Sequence, residues 1–355
     1  MRSFSSSPLR RRRSSLALAA LLAAGCDRPA REGNLLLVTL DTVRADRLGA
    51  YGYAPATTPN LDRLAAEGVR FAQAQAAAPL TLPSHATILT GQLPPGHGLR
   101  QNGAPVAGPG LATLAGHLAA AGYRTGAFVG SFVLDHRFGL SQGFDVYDDE
   151  VERDVSMTAG LEAERPGGEV VDRALAWLAE DDGRPFFAWV HLYDAHAPYA
   201  PPEPFAAAHP GRPYDGEIAA VDAEVGRLLE QLQTQRLTEQ TVFAVASDHG
   251  EALGEHGEPT HGVLLYEGSL RVPLILSASG ILPAGWVVEE PVGLVDLAPT
   301  LATLVGHPWS AGGDGRDLST ALRARNEPPR ADLYAETEYP TLFGWSGLAA
   351  LRRGE

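Results

Sequence analysis

The chain has 355 residues, 45% of them hydrophobic, with a single Cys and a formal net charge of −15. That length can bury a large core in one sizeable α/β domain, and one Cys rules out an intramolecular disulfide. The acidic balance argues against a nucleic-acid partner, whose phosphate backbone needs clustered Lys or Arg. There is no Lys, so a fixed cation in a pocket must come from Arg, protonated His, a helix end or a metal.

In chain order, Arg10 to Arg13 form a basic region, Leu16 to Ala24 a short apolar stretch, and Leu22-Ala23-Ala24-Gly25-Cys26 resembles a bacterial lipoprotein processing site. The expectation is a leader and linker over residues 1–31 with Cys26 lipidated, then a catalytic domain over 32–355. The protein would then be exported to a bacterial cell envelope and touch membrane only through its lipid anchor. An ordinary secretory signal is the alternative; the apolar run is too short to span a bilayer comfortably.

Asn34 to Leu40 is a continuous apolar run ending in Asp41, the form of a buried parallel strand that delivers a polar residue at its carboxyl end. Thr58 and Pro59 start a helix through Ala66 that Gly68 stops. Thr81-Leu82-Pro83-Ser84-His85, continuing to Gly91, predicts a second short helix: Pro83 suits its first turn and Gly91 its C′ position. A Pro/Gly-rich loop carrying His97, Arg100 and Asn102 follows.

Next come a helix over Leu111–Ala121, a strand over Tyr123–Gly130, a polar surface excursion over Ser141–Gly168 and a helix over Glu169–Ala179. Pro185–Val190 reads as a buried strand leading into His191, Asp194, His196 and Tyr199; Asp215–Leu232 reads as a helix. Thr241–Ser247 is another apolar strand and delivers Asp248-His249-Gly250-Glu251. Pro273 places the Val272–Leu276 strand near an edge, and Leu294–Val305 is the last helix. Ser346–Glu355 reads as a strand entering a turn with no returning strand, as if the small C-terminal sheet were truncated.

Ligands of open α/β sheets bind at the carboxyl ends of strands. Asp41, Asp248 and His249 would therefore converge with Thr81, which sits at the positive end of its helix, where tetrahedral oxyanions bind. Two carboxylates, an imidazole and a hydroxyl suit one divalent cation, with Zn²⁺ or Mn²⁺ favoured over Ca²⁺. Such a set would activate Thr81 as a nucleophile and hold a substrate oxygen. His196 and His261 are candidate donors or acids at the transferred group, Asn102 a candidate substrate contact, and His85 a candidate orienter of Thr81. His191 and Asp194 are candidates for a second metal, and Arg44 and Arg100 are read as surface residues.

These motifs together resemble the sulfatase family of the alkaline phosphatase superfamily: the strand ending in Asp41, the block Thr58-Pro59-Asn60-Leu61-Asp62-Arg63-Leu64-Ala65, the helix ending Leu89-Thr90-Gly91, and Ser247 to Gly257. The resemblance implies a large mixed, mainly parallel sheet sandwiched between helices. It also implies a metal-dependent hydrolase of phosphate or sulfate esters, whose substrate is a small-molecule, glycan-linked or lipid-linked anionic ester. Family sulfatases use Cys or Ser, matured to formylglycine and followed by x-Pro-x-Arg. Here Thr81 and His85 stand at the nucleophile and Arg positions, Thr42 replaces a second strand-end Asp, and the usual Lys residues have no counterpart. Thr cannot become formylglycine, whose hydrate releases sulfate without hydrolysing a sulfate ester.

The Thr, Asp and Asp-His pattern is closer to phosphoethanolamine transferases, lipoteichoic acid synthases and nucleotide pyrophosphatases, in which a metal-activated Thr forms a covalent phospho-intermediate. The reading is thus a hydrolase acting through a covalent intermediate on Thr81. The alternatives are a phospho-group transferase and a non-catalytic, lipid-anchored binding protein.

Overall fold

The computed structural model describes residues 33–103, 110–151 and 163–354, with residues 1, 3 and 108. The leader and Cys26 lie outside the described residues. Strands run in chain order β1 (Asn34–Leu40), β2 (Val69–Phe71), β3 (Ala74–Gln75), β4 (Arg124–Val129), β5 (Val146–Asp148), β6 (Phe186–Leu192) and β7 (Thr241–Ser247). They continue as β8 (Arg271–Val272), β9 (Leu274–Ser277), β10 (Trp286–Val288), β11 (Val292–Gly293), β12 (Leu333–Thr337) and β13 (Leu348–Arg352).

Eight of these form one sheet in the order β10-β2-β9-β7-β1-β6-β4-β5, parallel from β7 to β5 and mixed beyond β7. β1 lies inside it and is buried along its whole length. Successive side chains of a strand point to opposite faces. Leu35 and Leu37 accordingly enter one core with Leu82, Ile88, Leu114, Leu297 and Leu301, while Leu36, Val38 and Leu40 enter the other with Leu61, Val170, Ile218 and Val225. Helices Thr81–Thr90, Leu114–Ala120 and Leu297–Leu304 therefore cover one face, and Pro59–Glu67, Gly167–Ala179 and Pro213–Thr234 the other. This is the expected α/β sandwich.

Two expectations need correction. The segment around Pro273 is not an edge: β9 lies between β2 and β7, and Pro273 occupies the break between β8 and β9, where its carbonyl still accepts from Ser247 N–H. The Ser141–Gly168 excursion contains β5, which pairs with β4 at the sheet margin. The terminal strand forms as expected, and β13 pairs antiparallel with the preceding β12 in a separate two-stranded sheet. Among the described residues no helix is long and apolar enough to cross a membrane.

Glu217 on the Pro213–Thr234 helix is 4% exposed and accepts Ala200 N–H at 2.7 Å. Burial, reinforced by Asp194 and Glu164, raises its pKa from 4.5 to about 7 despite that hydrogen bond. A carboxyl raised on folding favours the folded state while protonated, so its contribution is lost as pH climbs from about 4.5 to about 7. Glu217→Gln should flatten the fall in melting temperature between pH 5 and pH 8 relative to the parent chain; parallel curves for the two proteins would show that Glu217 ionises freely when folded.

Candidate active site

Strand register builds the centre. Leu40 is paired with Ser247 on one side and Leu192 on the other, so Asp41 and Asp248 leave adjacent strands at the same level of the carboxyl edge. Asp41 N–H donates to Leu192 O and Asp248 N–H to Leu40 O, which prolongs both ladders by one residue. Thr81 opens its helix from the neighbouring face, with Leu80 extended before it and Gly91 closing the far end at φ 64°. Gly250 is required by packing: a Cβ there would lie 2.1 Å from Gly268 O.

The residues brought together are Asp41, Thr81, Asp248 and His249, each at most 1% exposed. His249 Nε2 stands 3.5 Å from Thr81 Oγ1, 3.5 Å from Asp248 Oδ2 and 3.8 Å from Asp41 Oδ1. Its Nδ1 must carry the proton, since Gly250 O at 3.0 Å can only accept. Burial pushes the ring down to about 3, with the neighbouring His261 acting in the same direction, so His249 is neutral and turns a lone pair towards the carboxylates. Asp41 Oδ1 and Asp248 Oδ2 are themselves buried without a partner. Burial and the Asp41 charge raise Asp248 well above the carboxylate range; burial opposes ionisation of Asp41 too, but the His191 hydrogen bond and surrounding imidazoles hold it well below that range. Two buried carboxylate oxygens without a hydrogen-bond partner and an imidazole nitrogen turned towards them fit a divalent metal, which would replace the proton that burial favours on Asp248, and these three residues form a group of ligand atoms within 4.8 Å of one another.

Around this group, His85 lies behind Thr81. Its Nδ1–H donates to Thr81 O at 2.7 Å and its Nε2 accepts from Thr39 Oγ1 at 2.9 Å. His191 Nε2–H donates to Asp41 Oδ2 at 3.1 Å. His261 stacks near His249 with 4.5 Å between ring centres, and His196 meets His261 at 5.1 Å while lying flat on Tyr193. His196 and His261 are only partly buried and mark the open side of the centre. Burial lowers the His196 pKa; for His261 burial acts in the same sense, but the Glu251 carboxylate outweighs it and the net shift is upward.

Several expectations are revised. Asn102 reaches the Thr81–Thr90 helix, where its Oδ1 accepts Leu82 N–H at 2.9 Å, leaving its amide nitrogen for another oxygen. Among the described residues His191 and Asp194 fall in no group of three metal-ligating atoms; His191 Nε2 faces Asp41, and Asp194 Oδ1 accepts Gly167 N–H at the start of the Gly167–Ala179 helix. Arg44 is buried, held by Asp46, Glu255 and Glu251 O, while Arg100 is engaged by Glu336 and Glu338. Neither Arg is directed at Thr81. The sequence reading missed Glu251, wholly buried beside His261, and Tyr199, which bonds it. Glu251 stands inside the Asp248 to Glu251 block, which was the available signal.

Three candidate metal ligands and a hydroxyl at a helix start, gathered at the carboxyl edge of the sheet, mark this as the candidate active site of an α/β protein. A family model for the sulfatases matches residues 33–307. Human (Homo sapiens) arylsulfatase A is 31% identical over 96% of this chain and 76% of its own length, and the Canis lupus familiaris N-acetylgalactosamine-6-sulfatase is 32% identical over 86% and 68%. The crystal structure of a phosphonate monoester hydrolase of Agrobacterium radiobacter superposes with a TM-score of 0.75 at 24% identity, covering 90% of this chain and 86% of that one. The chain belongs to the sulfatase family.

Gly250→Ala must displace either the Asp248 loop or the Gly268 backbone, and overpacking of this kind costs about 1–3 kcal/mol. Denaturant unfolding should register a loss in that range. A loss below about 0.5 kcal/mol, within the ordinary span of surface changes, would show that the two segments are free to separate.

Proposed function

We propose that this chain is an exported, metal-dependent hydrolase of phosphate or sulfate esters in which Thr81 forms the covalent intermediate. The observation that carries the reading is the placement of Thr81 Oγ1 at a helix start, 3.5 Å from His249 Nε2 and beside two carboxylates with unpartnered oxygens. Asp41, Asp248, His249 and Thr81 would hold one divalent cation. Zn²⁺ or Mn²⁺ suits this small mixed N and O set better than Ca²⁺, which takes six to eight oxygens. When bound, that cation supplies the positive charge that stabilises the Thr81 alkoxide and one oxygen of the transferred group.

The chain's own residues do the rest. His85 holds the Thr81 carbonyl and so sets the direction of the side chain. Thr81 Oγ1, its proton released to solvent, bonds to the phosphorus or sulfur; the bond to the leaving oxygen breaks with its electron pair, and that oxygen takes a proton from His261 Nε2. His196 and the Asn102 amide contact the remaining oxygens. Water then attacks the Thr81 ester, returning the hydroxyl and releasing the acid. Phosphate is the favoured acid, because a Thr ester lacks the formylglycine route by which a sulfated enzyme breaks down. Export and anchoring at a bacterial envelope rest on Arg10 to Arg13 and Cys26 alone.

Brief exposure to candidate esters followed by peptide mass mapping should locate an adduct on Thr81, and Thr81→Ala should lower turnover at least about 1000-fold. In a chromogenic panel phosphate mono- or diesters should be cleaved faster than sulfate esters. A clear preference for aryl sulfate would reverse the choice of acid, and unmodified Thr81 with undiminished turnover in the Ala variant would end the reading.

A further inference from the structure

Glu251 is wholly buried, and neither of its carboxylate oxygens meets an Arg. Oε2 accepts the Tyr199 hydroxyl at 2.9 Å and Oε1 faces His261 Nδ1 at 3.3 Å. Its backbone is fixed as well: Arg44 Nη1 donates to Glu251 O at 3.1 Å, and the Tyr199 ring packs edge-on against Tyr214 with centres 5.2 Å apart. A buried carboxylate is unfavourable unless it is hydrogen-bonded to a group able to carry positive charge. Of its two side-chain partners only the imidazole can. With Nδ1 facing Glu251, the His261 ring is held against His249 and its Nε2 is the nitrogen left for a substrate atom.

We propose that Glu251, steadied by Tyr199, is a positioning residue that directs His261 Nε2 at the leaving oxygen as its proton donor. This rests on the Thr81 reading above. The chemical reason is leaving-group ability. A nitrophenolate departs unaided, whereas an alkoxide must be protonated as its bond to phosphorus or sulfur breaks; the electron pair stays on the oxygen, the proton comes from Nε2, and His261 is left neutral. A carboxylate behind the imidazole stabilises the ring in its donating form and fixes its orientation.

The test compares kcat/KM for 4-nitrophenyl and n-butyl esters, as phosphates and as sulfates, in the full chain loaded with metal. In the parent kcat/KM should change little with the leaving group. Glu251→Gln should lower it about 100-fold for the butyl ester, the scale of a general acid, and less than about 5-fold for the nitrophenyl ester. Tyr199→Phe, which loosens Glu251 without removing it, should move the ratio the same way by a smaller factor, and it decides the matter alone if the Gln variant does not fold. Equal losses on the two esters, or a loss traced to missing metal in the purified variant, overturn the proposal. An adduct on Thr81 accompanied by equal losses sinks this inference only; absence of any adduct in the parent sinks the Thr81 reading instead.

Discussion

The mutual repulsion of the groups gathered at the carboxyl edge of β1 and β7 constrains everything near them. Two carboxylate oxygens and an imidazole nitrogen face one another among wholly buried side chains. Left alone, such groups would separate or take up protons, and the upward shift of Asp248 is the second response. The fold prevents the first. Asp41 and Asp248 are carried by paired parallel strands whose hydrogen bonds continue one residue past the regular ladder, so neither backbone can swing away.

The backbone after Asp41 shows how tightly that geometry is held. Thr42 lies at φ 56°, a region a β-branched residue rarely adopts. Three contacts hold it there: its hydroxyl donates to Ala195 O at 2.7 Å, its carbonyl accepts the Tyr214 hydroxyl at 2.6 Å, and its N–H points to Asp248 Oδ1 at 3.4 Å. Strain of this kind, about 1–3 kcal/mol, persists only where the surroundings over-determine it. Here it ties the loop of Asp41 to the loop that presents His196. The Thr42 side chain is a tether between these loops.

Much of this centre was legible from residue order. Apolar runs ending in Asp41 and Asp248 announce buried strands with acids at their ends, and Pro83 with Gly91 delimits the nucleophile helix; local rules suffice for such features. What escaped depends on contacts between residues far apart in the chain. Arg44 looks like a surface cation until Glu255 and the Glu251 carbonyl, more than 200 residues away, enclose it. Asp194 follows a strand as Asp41 does, yet a helix start lies within its reach and takes its oxygen. Pro273 implied an edge because a proline cannot donate to a ladder, but a break between two short strands removes that conflict without exposing either. Periodicity describes one element at a time, and these outcomes are set by which elements become neighbours.

His85 sets the electrostatics beneath Thr81 through one fixed pattern of hydrogen bonds. Thr81 O can only accept, so the His85 proton lies on Nδ1 and Nε2 must receive the Thr39 hydroxyl; that hydroxyl oxygen in turn accepts Trp189 Nε1–H at 2.9 Å. Each member of the relay has one available role, and a second proton on His85 would turn the Thr39 hydroxyl away from it. Burial also drives the ring's pKa well down, with His191 acting in the same direction. The residue beneath Thr81 is consequently a neutral spacer. With Arg44 and Arg100 engaged elsewhere, positive charge beside Thr81 falls, among the described residues, to the start of its own helix, to the carboxylate-backed ring of His261 and to any cation that Asp41, Asp248 and His249 would hold.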